Sequence, residues 1–232
     1  MTPTRRQFAL GALGSAAIAL AATCVSLPAR ASDATDAKEL VDKATVTIGV
    51  LAADPDFATL GSALGKAKAV LIYPEVLKAG FILGGSGGSG VLLVRDAKTG
   101  GWIGPAFYTM GSASLGFQAG ASAAEMVMVI NSQKALDSLY TNKVKLGGDA
   151  SVALGPKGAG TGGSMTADFI VYSKAKGAFA GIAVDGSVLD VRQGLNAGYY
   201  GKPVTPVDIL VKHDVSNPAS VPLLEAVKKA TK

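Results

Sequence analysis

The sequence is poor in the side chains from which most metal and covalent chemistry is built. In 232 residues there is one cysteine and one histidine. With Cys24 as the single thiol, no intrachain disulfide and no cysteine metal site can form. With His213 as the single imidazole, the two or three His or Cys ligands of a zinc site are missing. Calcium binds oxygens alone, yet no Asp-x-Asp-x-Asp-Gly loop is present. Charged residues make up only 17% of the chain and aromatics 6%. No basic stripe with interleaved aromatics exists, so a nucleic-acid role has no support. The glycine run Gly84-Gly85-Ser86-Gly87-Gly88 lacks a following Gly-Lys-Ser/Thr and leads toward a strand, which argues against a nucleotide loop. No cofactor is implied.

Catalysis is equally hard to build. His213 stands beside Asp214, but no Gly-x-Ser-x-Gly elbow opens a helix. Carboxylates for a hydrolytic pair could come from Glu75, Asp96, Glu125, Asp149, Asp168, Asp185 or Asp190, and no spacing selects two of them. A non-enzyme is expected, with a His213-dependent hydrolase as the third reading.

What the chain has in quantity is hydrophobic residues, 49%, and 30 glycines scattered among them without a collagen period. Its N-terminus reads as an export signal. Thr4-Arg5-Arg6-Gln7-Phe8 is a twin-arginine pattern, followed by an apolar run to Thr23 and by Ala29-Arg30-Ala31, an A-x-A cleavage motif. Residues 1–31 are therefore set aside as a signal peptide and 32–232 taken as one domain, exported to the periplasm or cell envelope. Cys24 is a candidate for acylation, which would leave the protein lipid-anchored. Without residues 1–31 the basic residues fall from 22 to 19 against 17 acidic, and the net charge from +5 to +2.

Periodicity then divides the domain. Leu40, Val41, Ala44, Ile48 and Leu51 recur at helical spacing within Ser32–Ala53, with Ser32 or Asp33 as the cap, and a short helix is expected over Phe57–Lys66 behind Asp56. Strands are expected at Ala69–Tyr73 (ended by Pro74), Ala79–Leu83, Ser89–Arg95, Trp102–Met110, Ser112–Phe117, Met126–Ile130, Ser151–Leu154 and Phe169–Tyr172. Phe179–Val184 and Ser187–Val191 flank Asp185-Gly186, a type I′ hairpin signal. Further helices are expected at Gln133–Tyr140, Pro206–Val211 and Val221–Ala230. The class is α+β, with a largely antiparallel, Gly-rich sheet or barrel-like core and helices at both ends.

Ordered matches run along the chain: Lys68-Ala69-Val70-Leu71-Ile72-Tyr73-Pro74, Lys78-Ala79-Gly80-Phe81, Gly90-Val91-Leu92 with Arg95, Trp102 with Pro105-Ala106-Phe107, Gly116 to Gly120, Leu146 to Ala150, Gly177 to Gly181, and Asn196 with Tyr199-Tyr200-Gly201. In these the chain resembles the SYLF domain family, also described as a lipid-binding or yeast-type actin-binding domain. The resemblance implies binding to phosphoinositides or other anionic lipids through an N-terminal amphipathic helix and basic residues, with actin binding in eukaryotic members. It directs attention to the cations Lys38, Lys43, Lys66, Lys68 and Lys78 and to the apolar Ile48 and Leu51. The expected function is a non-catalytic lipid or membrane-surface module of the envelope; the alternative is a structural or protein-interaction module engaging another envelope protein.

Overall fold

The computed structural model describes residues 29–80, 83–115, 120–141, 143–155, 166–177 and 184–231. The expectations for residues 1–28, including the twin-arginine motif and Cys24, lie outside these, as does Phe179 to Ala183. An N-terminal helix, α1 (Ala29–Ala52), a 3-10 turn at Pro55–Phe57 and α2 (Leu60–Lys66) precede four long strands. These are β1 (Ala69–Gly80), β2 (Leu83–Arg95), β3 (Trp102–Leu115) and β4 (Gly120–Ile130). Then follow α3 (Gln133–Thr141), β5 (Val144–Lys145), β6 (Val152–Leu154), β7 (Phe169–Gly177) and β8 (Val188–Val191). Three helices finish the chain: α4 (Gln193–Tyr200), α5 (Pro206–Leu210) and α6 (Val221–Ala230). The eight strands form one curled sheet in the order β5-β8-β3-β2-β1-β4-β7-β6, antiparallel except for the β6–β7 edge.

The sheet is apolar on both faces in its lower half. Val70, Ile72, Val91, Leu93, Val127 and Val129 face one way and pack under α1, α2, α4 and α6. Leu71, Tyr73, Leu92, Tyr108, Met126 and Met128 face the other way, toward α3 and α5. Alternate side chains of a strand point to opposite faces, so an unbroken apolar run such as Ala69–Tyr73 requires cover on both. The α1 stripe Ala37, Val41, Ala44, Ile48 and Leu51 supplies it on one side, each residue at most 1% exposed. Asn196 joins α4 to the sheet, its buried Oδ1 accepting the Phe107 N–H at 2.9 Å just where β8 stops pairing with β3.

The expected class holds, while several boundaries move. Pro74 does not end β1: the strand bulges between Tyr73 and Val76 against β4, which absorbs the residue without a ladder N–H, and runs on to Gly80. The Gly84–Gly88 run is not a connecting turn but the middle of β2, paired with both β1 and β3. Trp102–Leu115 is one strand rather than two. α1 starts at Ala29, ahead of its expected cap, and Asp54 rather than Asp56 caps the next turn, accepting the Asp56 N–H at 3.0 Å. At Asp185-Gly186 only Gly186 has positive φ, +80°, so the turn is not type I′, which needs it at both central positions. α4 was not expected at all, since Gly194 and Gly198 mask its period.

Gly88 sits where the bulge of β1 presses on β2. A Cβ there would lie 2.3 Å from the Glu75 carbonyl oxygen, whereas one at Gly111 meets nothing within 4 Å. Gly88→Ala should therefore lower stability by about 1–3 kcal/mol, the usual cost of forced overpacking, and Gly111→Ala by less than about 0.5. Urea midpoints at unchanged slope provide the measurement; equal midpoints for the two variants would remove the close approach from the account.

Candidate membrane and partner surface

The seven residues proposed from the sequence do not form one patch. Ile48 and Leu51 are 0% exposed, packed against the sheet, and cannot enter a bilayer while α1 stays docked. The family resemblance had suggested them as lipid contacts; in the structure they belong to the stripe that docks α1 on the sheet. Lys38 and Lys43 lie on the solvent face of α1; Lys43 pairs with Glu39 at 2.7 Å, which raises the lysine pKa and lowers that of the carboxylate. Lys66 and Lys68 are exposed at the start of β1, and Lys78 is half-buried ten residues further along that strand. At about 3.3 Å per residue, Lys68 and Lys78 stand roughly 30 Å apart. From Ser32 to Ala52 the helix carries four carboxylates (Asp33, Asp36, Glu39, Asp42) against two lysines, so α1 by itself is acidic.

A different set is exposed. Val46 is 63% exposed, Val50 41% and Leu77 55%. Val46 and Val50 are one turn apart on α1, and Val46 shares a cleft of about 540 Å³ with Thr47, Pro74, Ala123 and Ala124. Leu77 pairs with Ala123 across β1 and β4, so the apolar surface continues from the helix onto the sheet. Asp42, Lys43, Glu75 and Glu125 line the same cleft. Across α1, Gly49, Ala52, Ala53, Gly61, Ala226 and Ala230 line a second depression of about 660 Å³ between α1, α2 and α6. Val46 and Val50 lie outside the Ala37–Leu51 stripe, on the solvent side of α1, and so escape the burial that takes Ile48.

The other highlighted residues serve the fold. Arg95 donates to the carbonyls of Leu64 (2.6 Å), Ala67 (3.1 Å) and Gly100 (3.0 Å) and lies 4.5 Å over the Trp102 ring, so it ties the end of α2 to the β2–β3 turn. Asp96 accepts from the Lys98 N–H and the Thr99 hydroxyl in that turn. Asp149 accepts the Lys145 N–H, and Asp190 pairs with Lys143 at 2.8 Å. Asp185 is exposed beside Gly147. His213 is exposed with φ +59°, and no hydrogen bond joins it to a serine among the described residues. No group of three or more His, Cys, Asp or Glu among the described residues is arranged to hold a metal ion, and no described helix is long and apolar enough to cross a membrane.

Asp168 fastens the β6–β7 edge: it accepts from the Ser151 N–H (2.9 Å) and hydroxyl (2.7 Å), and hydrogen bonding from Ser132 first, then Ser151, holds its pKa below the ordinary 3.8. Because the folded-state pKa is depressed, its contribution is complete above about pH 4 and is lost as the pH falls through the folded value. Asp168→Asn should thus cost stability at pH 7 and progressively less below pH 4, read from urea midpoints of both proteins across that range; a pH-independent difference would argue against the carboxylate's charge.

Comparison with known proteins places the chain. Residues 111–230, just over half of it, match the family model Ysc84, described as Las17-binding protein actin regulator. The chain is 38% identical over 174 residues to Protein YSC84 of Saccharomyces cerevisiae, covering 71% of this chain and 36% of that protein. It is 35% identical over 173 residues to LAS seventeen-binding protein 3 of the same yeast, covering 71% and 37%. Against SH3 domain-containing YSC84-like protein 1 of Bos taurus it is 33% identical over 172 residues, covering 71% and 49%. The chain therefore spans between about a third and a half of the relatives it matches. No solved structure matches. The resemblance read from Lys68 through Gly201 and the family model agree, and the chain belongs to the Ysc84 (SYLF) family.

Proposed function

We propose that this chain is a non-catalytic module that binds a membrane surface in the bacterial cell envelope, docking through Val46, Val50 and Leu77. The observation that carries the reading is the continuity of these exposed apolar residues across α1 and β1, on a face whose own core residues are already covered. Apolar side chains entering the interface supply burial, and lysines near an anionic surface add about 1 kcal/mol each. The acidic balance of α1 makes burial the larger contribution here. Lys66 and Lys68 stand outside this patch and act, in this reading, as rim charges. Export through the twin-arginine signal would bring the domain to the periplasm, where its lipid would be an anionic phospholipid; acylation of Cys24 would add an anchor.

The second reading is a protein-interaction module. The family description and the names of the yeast relatives, which refer to binding Las17 and regulating actin, favour it. The small-residue depression between α1, α2 and α6 gives it a surface distinct from the valine patch.

Co-sedimentation of the full chain with anionic and neutral vesicles separates the two. Val46→Asp with Val50→Asp should weaken vesicle binding at least about tenfold, since each buried valine is worth roughly 1.5 kcal/mol. Lys38→Gln should change it by less than about threefold and mainly at low salt. Undiminished binding by the double variant would exclude the patch, and no vesicle binding by the parent chain would leave the protein-partner reading.

A further inference from the structure

The bulge in β1 does more than admit Pro74. Between Tyr73 and Val76 the ladder with β4 skips Pro74 and Glu75, and both line the cleft beneath α1 together with Asp42, Val46 and Thr47 of the helix. Glu125 of β4 stands opposite the gap, between Met126, which pairs with Tyr73, and Ala124, which pairs with Val76. Three elements thus bring a carboxylate each to one space of about 540 Å³.

The charge of the cleft is one-sided. Asp42, Glu75 and Glu125 face a single cation, Lys43, and that ammonium is taken by Glu39 at 2.7 Å, with Glu75 adding a weaker attraction. Among the described residues neither Asp42 nor Glu75 makes an ion pair. Glu125 pairs in the ladder with Lys174, whose ammonium bonds to Asp54. Between the charges the walls are apolar: Val46, Pro74, Ala123 and Ala124. Thr47 adds an observation independent of the carboxylates. It lines the same cleft, is 2% exposed, and its hydroxyl makes no hydrogen bond among the described residues. A helical threonine can satisfy itself on the carbonyl four residues back, as Thr45 does on Val41 at 2.8 Å. Thr47 does not, and a hydroxyl left over at this depth calls for a partner.

Apolar walls, unpaired carboxylates and an idle hydroxyl suit a cation carried on an aliphatic stem. An arginine side chain has that form: its methylenes cover apolar surface, while the guanidinium presents five donors and sheds water more readily than an ammonium. An anionic group is excluded by repulsion from Asp42 and Glu75. No group of three carboxylates among the described residues is arranged to hold a metal ion. We propose that the cleft between α1 and the β1 bulge binds an arginine of a basic segment on a partner protein. Glu75 and Asp42 supply the countercharge, Thr47 Oγ1 accepts an N–H, and Val46, Pro74 and Ala123 cover the stem. The cleft shares only Val46 with the membrane patch; Val50 and Leu77 lie outside it.

Titration of the full chain with the pentapeptide acetyl-Ala-Leu-Arg-Leu-Ala-amide, followed by backbone amide NMR shifts, tests the site. Saturable shifts should centre on Asp42 to Thr47, Glu75 and Ala123 to Glu125. The same peptide with glutamine in place of arginine should bind at least about tenfold more weakly, and raised salt should weaken the arginine peptide alone. Glu75→Gln with Asp42→Asn should lower affinity about tenfold or more and Thr47→Val several-fold, while Asp36→Asn, elsewhere on α1, retains it. Asp42 and Glu75 are exposed, so the double variant should keep the parent's urea midpoint. Absence of saturable shifts at the cleft, equal affinity for the two peptides, or a loss in Asp36→Asn equal to that in the double variant overturns the proposal. Vesicles read the membrane patch separately. Glu75→Gln with Asp42→Asn leaves binding to anionic vesicles intact or raises it, whereas Val50→Ser with Leu77→Ser weakens it and leaves peptide affinity unchanged. A fall in vesicle binding in the Glu75→Gln, Asp42→Asn variant would make the cleft a membrane contact instead.

Discussion

Five consecutive residues of β1, Ala69 to Tyr73, are completely buried, and the rest of the molecule is arranged to keep them so. Val70 and Ile72 point one way, Ala69, Leu71 and Tyr73 the other, and flanking strands repeat the pattern with Val91 to Leu93 and Met126 to Ile130. A sheet apolar on both faces is stable only as the middle of three layers. The chain meets this demand from its ends: α1 and α2 precede the sheet, α4 and α6 follow it, and all four converge on one face. α3 and α5, with the short strands β5 and β8, close the other.

Among the described residues, the helices that cover the sheet pack mainly on its lower half. β1 to β4 and β7 continue beyond it, and there the composition changes to glycine, alanine and serine: Gly84 to Gly90, Gly111 to Ala113, Gly120 to Ala124. The change has a mechanical reason at Gly88, where the bulge that lets Pro74 into β1 brings the Glu75 carbonyl against β2. It has a chemical consequence too. With few large side chains to bury, this end of the sheet exposes Leu77 on one face and pairs the Ser86 and Ser112 hydroxyls on the other.

Much of this was legible from local pattern. The Ala37–Leu51 stripe announces α1, Ser132 caps α3 with the Ala135 N–H at 3.1 Å, and Thr205 with Asp208 boxes α5. What could not be read was set by partners distant in sequence. Pro74 ends an isolated strand but not one that a bulge and two neighbours hold in place. Gly84 to Gly88 have turn propensity, and two ladders override it. α4 has weak amphipathicity because its glycines permit close approach to α1, and Asn196, the residue that secures it, bonds to a backbone group 89 positions away. The site suffered from the same blindness: the cations were taken together from the family resemblance, and the sheet sends Lys78 to the face opposite α1, some thirty ångströms from Lys68 by strand length.

The resemblance to the family and the burial of α1 together constrain how any partner can be engaged. An amphipathic helix has one apolar stripe, and Ile48 and Leu51 commit it to Val70, Ile72 and the rest of the core beneath. Using that stripe to grip a membrane would uncover β1, at a cost comparable with the whole stability of a domain this size. In the proposed membrane reading, what is left is the second, narrower stripe of Val46 and Val50 on the solvent side of α1, with Leu77 on the sheet. In that reading the surface needs no conformational change to act. It can bind with α1 still docked, and its affinity is then set by the few exposed apolar residues and the sparse cations around them rather than by the helix as a whole.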